Sequence, residues 1–220
     1  ATTESGRTGD FLLQGQDLTL QRGSLVLNSA QGAGAQAGNV TLQAAGSLGV
    51  SASGVSNLGL AGGQAGNVLL LGGELTVTEA SRLFTSSIDP DSRAGDLTLR
   101  GLSRLRVDAG AQIAANTFSN RDAGAIVLEA PRIELQDASL SSAALEGSGH
   151  AGSITLTAQE LLSLQASVLS SSTSSAGDAG QEGELTGGDR IHGGRGLFAE
   201  SAQDPDHGQQ ATVGVAVGVD

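Results

Sequence analysis

The chain has 220 residues, enough for one or two ordinary domains. Glycine occurs 34 times, aromatics make up 2%, and Cys, Met, Trp and Tyr are absent. The interior must therefore be thin enough for Leu, Val, Ile and Ala to fill, and disulfides and thiolate metal sites are excluded. The formal charge of −12, with arginine as the only basic residue, argues against a nucleic-acid partner, and no apolar run approaches the ~20 residues of a membrane-spanning helix.

In chain order, residues 1–8 read as a leading segment without the charged-then-apolar pattern of a signal peptide. A first unit opens at Gly9 and offers alternating pairs at Phe11/Leu13 and Leu18/Leu20, then a single aliphatic, Leu25. The second, from Gly38, reads "AGNVTLQAAGSLGV" and repeats the pattern at Val40/Leu42, Leu48/Val50 and Val55. Gly66 opens Val68/Leu70, Leu75/Val77 and Leu83, and Gly95 opens Leu97/Leu99, Leu105/Val107 and Ile113. Gly124 and Gly152 open the last two, ending at Leu140 and Val168. The glycines are 29, 28, 29, 29 and 28 residues apart.

Alternation with period two over three to five residues predicts short strands with one buried face, and a fixed period of this length predicts a solenoid. Nothing sustains a helical period, which weighs against leucine-rich repeats. The expected fold is an all-β, right-handed parallel β-helix over residues 9–179. It has about six coils of 28–29 residues with three short strands each, stacked at ~4.8 Å into a rod of about 29 Å. Residues 180–220 fit no coil and read as an irregular tail, cap or linker. The opening glycine is expected to supply a positive φ at a corner. The polar residue after it (Asp10, Asn39, Asn67, Asp96 or Ser153) is expected to bond nearby backbone at the turn.

The recurring phrase, "AGNVTL" followed by "SLGV" in the second unit and matched in six units in phase, resembles the repeats of filamentous-haemagglutinin-like exoproteins. These include large cyanobacterial and proteobacterial surface proteins exported by two-partner secretion. The resemblance covers about residues 9–175. It implies a right-handed β-helix, export through an outer-membrane transporter, and a secreted or outer-membrane-associated role as a non-enzymatic adhesin or cell-surface filament. The implied partners are a glycan or protein on a host or neighbouring cell. The family brings no catalytic residues and no cofactor.

The candidate sites are few. Asp10 and Asp96 occupy equivalent corners but lie three coils apart, about 14 Å, too far for a glycosidase pair. The expected stacking of Glu74, Arg104 and Arg132, of Arg100 with Glu129, and of Arg106 with Glu134 describes ion pairs on a solvated face. The loop "IDPDSRAGD" gathers Asp89, Asp91 and Asp96, either as an ordinary turn or as calcium ligands. His150, His192 and His207 follow no ligand spacing. The outward residues of the first strand, Leu12, Thr41, Leu69, Thr98, Val127 and Thr155, form one column. Strand propensity accounts for such a column, and lateral contact with a second filament, a glycan or ice is the functional alternative. Against the adhesive rod stand two other readings: a polysaccharide lyase or hydrolase on the same architecture, and an ice- or calcium-binding solenoid. Catalytic, cofactor and metal residues are expected to be absent.

Overall fold

A computed structural model describes residues 6–173, 185–186 and 191–193. Each inward residue of the repeat sits over its equivalent one coil away, so like aliphatics fill continuous columns. The first coil holds β1 (Phe11–Gly15), β2 (Leu18–Leu20) and β3 (Leu25–Gln31), and the second holds β4 (Val40–Ala44), β5 (Ser47–Ser51) and β6 (Gly54–Leu60). The four coils that follow hold two strands each: β7 (Val68–Thr78) and β8 (Arg82–Ser87), β9 (Leu97–Asp108) and β10 (Gln112–Thr117), β11 (Ile126–Gln136) and β12 (Ser139–Ala144), β13 (Ile154–Gln165) and β14 (Val168–Thr173). Every pairing between them is parallel, in a 10-stranded first sheet and a 6-stranded second sheet. The described chain is a parallel β-solenoid of about six turns.

The expectation of three separate strands per coil holds only in the first two coils. From β7 onward the first two strands fuse and bend at a β-bulge, marked by register shifts between Gly72 and Glu74 and between Ala130 and Arg132. A bulge turns the strand without breaking its pairing, and so replaces a corner.

Val40, Val68, Leu97, Ile126 and Ile154 are consecutive partners in one inward column, and all five are buried. The third-strand column differs from the sequence reading at both ends. It runs Val26, Val55, Leu83, Ile113, Leu140, Leu169, while Leu25 faces out at 64% exposure and Val168 at 37%. In "SLVLN" and "SVLS" two aliphatics are adjacent, and alternation alone does not say which one faces in.

Pairing also continues past the last full coil. β15 (Leu185–Thr186) and β16 (Ile191–Gly193) run parallel to β13, with Leu185 beside Leu156 and Ile191 beside Leu162. The remainder of the C-terminal stretch, and with it the expected tail or cap, lies outside the described residues.

Candidate functional site

Two corners and two outer faces carry the polar chemistry. At the first corner the opening glycines do not have positive φ, contrary to expectation. They are needed because stacked backbones nearly touch. A Cβ on Gly38, Gly66, Gly95 or Gly124 would lie 2.5, 2.3, 2.2 or 1.9 Å from the carbonyl oxygen of the preceding opening glycine. Gly9, with no described coil beneath it, has nothing within 4 Å of that position.

In the first four coils the polar residue after the glycine bonds the next coil and not its own turn. The Asn39 N–H donates to Asp10 Oδ1 (2.8 Å), Asn67 N–H to Asn39 Oδ1 (3.0 Å), Asp96 N–H to Asn67 Oδ1 (2.9 Å), and Ala125 N–H to Asp96 Oδ1 (2.9 Å). Each carboxylate or amide thus satisfies a backbone donor that the bent chain leaves without a ladder partner.

Behind this ladder runs a second one that the sequence reading missed. Buried Asn57 donates to Gly38 O (2.8 Å) and accepts from Gly66 N–H (3.1 Å). Its stacked neighbours do similar work: Asn28 donates to Gly38 O (3.0 Å), and Thr85 to Gly95 O (2.5 Å). Ser142 and Ser171 donate to Gly124 O and Gly152 O at 2.7 and 2.6 Å. The available signal was an Asn, Thr or Ser two residues after each inward aliphatic of the third strand, broken only at Ala115. Beneath the Ser-rich loops a third network joins Ser87, Thr117 and Ser119 at 2.6 and 2.7 Å and ends on Ser92 O.

The outer face of the first sheet carries five ion pairs between described residues. Arg100 Nε meets Glu129 Oε2 at 2.7 Å, as the stacking predicts. The expected Arg106–Glu134 pair does not form, although the two residues are partners in register. Glu134 instead takes Arg104 (2.5 Å), which also approaches Glu74 (3.9 Å), and Arg106 turns along its own strand to Asp108 (2.6 Å). This resolves the like-charge stacking of Arg104 on Arg132, because Arg104 leans toward Glu134 and Arg132 toward Glu160 (3.6 Å). The hydrogen bond to Glu134 raises the Arg104 pKa above its ordinary value, against the opposing effect of burial. On Asp17 the hydroxyl and N–H of Ser47 bond the carboxylate and lower its pKa.

Where β9, β11 and β13 bend, a shallow pocket of about 300 Å³ is lined by Arg100, Leu102, Glu129, Pro131, Thr157 and Gln159 among others. Glu129 is its only carboxylate and is held by Arg100. Acid–base cleavage of a glycosidic bond needs two carboxyls across the bond, so this pocket lacks one of them.

The three aspartates of "IDPDSRAGD" do not converge. Asp89 accepts from Ala61 N–H in the second coil, Asp96 from Ala125 N–H in the fifth, and Asp91 is exposed. No group of three or more His, Cys, Asp and Glu arranged to hold a metal occurs among the described residues. The backbone N–H of His150 donates to Asp122 Oδ1 (3.0 Å), and the backbone of His192 pairs with Ser163. His207 lies outside the described residues.

Leu12, Thr41, Leu69, Thr98, Val127 and Thr155 do stand in one outward column, each beside the next. Leu12, on the end coil, is 56% exposed, and the other five are half-buried. Comparison of the chain with protein-family models, curated proteins and solved structures finds no match.

Proposed function

We propose that this chain is a non-enzymatic, structural and adhesive segment of an exported bacterial surface protein, of the filamentous-haemagglutinin type carried by two-partner secretion. The observation that supports this reading is the commitment of side chains to stacking. Asp10, Asn39, Asn67 and Asp96 at the corner, and Asn28, Asn57, Thr85, Ser142 and Ser171 behind it, bond backbone of neighbouring coils or of the glycine corner. A chain built this way serves as a stiff spacer, with binding left to the variable loops after the third strand or to neighbouring modules. A glycan or protein of another cell surface is the partner this reading assigns to those loops.

The test is export and adhesion. Expressed from its whole gene beside its outer-membrane transporter, the protein reaches the cell surface, and cells bearing it aggregate or bind a glycan-coated surface. Transporter-independent retention inside the cell would overturn the export reading. Release of new reducing or unsaturated ends from pectin, alginate or β-glucan by purified protein would overturn the non-enzymatic one in favour of the polysaccharide lyase or hydrolase.

A further inference from the structure

The two sheets differ sharply on their outer faces. Five ion pairs lie on the first sheet. Along the whole of β3, β6, β8, β10, β12 and β14, the second sheet has one charged residue, Arg82. Charge returns only at its rims, with Glu79 and Asp137 on one side and Asp89 and Arg121 on the other. An uncharged centre inside a charged rim is the anatomy of a protein interface. Four of the seven large exposed apolar residues belong to this sheet or its edge: Leu25, Leu27, Ile88 and Val168.

The face is also graded in size. Its outward positions include bulky residues in the early coils, with Leu27, Leu58 and Phe84, and small ones in the late coils, with Ser141 and Ser170. Such a gradient matches its own reverse. A two-fold axis along the strand direction lays the first coil of one copy on the sixth of the other. Leu25 then covers Val168 of the second copy, Leu27 covers Ser170, Ser56 faces Ser141, and Arg82 faces the amide of Gln112. Bulky meets small at Leu27 and Ser170 and apolar meets apolar at Leu25 and Val168, as suits a self-complementary interface.

We propose that the outer face of the second sheet is a lateral self-association surface, on which a second copy of this chain packs in the reversed coil order. At a net charge of −12 two copies repel on most approaches. The second sheet is the face on which each copy brings a single charged side chain, Arg82. Six strands at ~4.8 Å and about 20 Å of strand length give roughly 600 Å² per copy, or about 1,200 Å² in all. That is the lower edge of specific interfaces and fits a reversible dimer. The proposal needs the solenoid alone. Glycan cleavage would sink the surface-protein reading and leave this one standing, and a strictly monomeric chain would do the reverse.

Sedimentation velocity of the 220-residue chain, from low micromolar to sub-millimolar, tests it. The expected result is a concentration-dependent dimer, weakened at least tenfold by Ser56→Glu or by Ser141→Arg. Because these two positions face each other in the reversed order, mixing the S56E and S141R proteins restores association. Circular dichroism confirms that both variants keep their strands. As a second measurement, the chain has no cysteine, so Ser56→Cys and Ser141→Cys are clean labels. A short bismaleimide joins S56C to S141C in the mixture and leaves each variant alone largely unjoined. A monomer at every concentration overturns the proposal, including one in which the second sheet binds a neutral glycan. So does a dimer that survives S56E but is lost when Thr41, Thr98 and Thr155 of the first sheet are changed to Asp.

Discussion

The two corners of each coil reverse the usual relation between glycine and backbone conformation. Before the first strand stands glycine, at an ordinary φ. Before the third strand stand Ala52, Ala80, Ala109, Asp137 and Ala166, with φ of 45, 54, 51, 51 and 49°. A left-handed residue with a side chain costs about 1–2 kcal/mol, and the solenoid accepts that at coil after coil. It accepts no Cβ at the first corner, where the obstacle is the neighbouring coil and not the local chain. Strain within one residue is bounded, whereas a collision between two ladders would push apart every pairing nearby.

Breaking that contrast begins with the glycines. Gly124→Ala puts a Cβ against Gly95 O and is expected to lose about 3 kcal/mol or more in urea unfolding, while Gly9→Ala changes stability by less than ~0.5 kcal/mol. Equal losses would mean that the corner needs glycine for its conformation after all. Next comes the ladder behind the corner. Asn57→Ala strands the buried Gly66 N–H and weakens the hold on Gly38 O, for about 2 kcal/mol in the same assay. A loss near zero would detach the buried ladder from the first corner.

The second corner responds in the opposite direction. Ala52→Gly and Ala166→Gly relieve the left-handed strain but loosen the unfolded chain, for a net gain of about 0.5 kcal/mol each in thermal or urea unfolding. Destabilisation at both sites would show that the alanine methyls matter more than their φ. On the outer face, Arg104→Met removes a half-exposed pair of contacts and costs at most about 1 kcal/mol, less at high salt. The smallest effect concerns Asp17. Its lowered pKa gives stability that is present above the ordinary carboxylate range and lost as pH falls through the folded value. Asp17→Asn therefore makes stability fall slightly less on acidification, as read from urea midpoints at neutral and acidic pH.

Much of the architecture was legible because a solenoid writes its contacts into sequence spacing. Leu42, Leu70, Leu99, Leu128 and Leu156 sit one over another because they sit at equal places in the repeat. The misreadings have separate causes. Leu25 and Val168 each adjoin another aliphatic, so alternation left their facing ambiguous. Arg106 chose Asp108 over Glu134 because a long side chain has several partners within reach of its Cα position. The outward column from Leu12 to Thr155 was found from spacing. The uncharged face of the second sheet was overlooked because its residues are scattered over six short segments that look like unremarkable Ser- and Ala-rich strands.

By itself, the sequence determined the period, the parallel stacking and the aliphatic columns, since these follow from which residue types recur at which interval. Only the tertiary structure decided why each corner glycine is glycine, which polar groups bond across coils, and how charge divides between the two sheets. Those depend on distances between backbones that lie about 29 residues apart in the chain but only ~4.8 Å apart in space. No local pattern encodes how closely two such backbones approach.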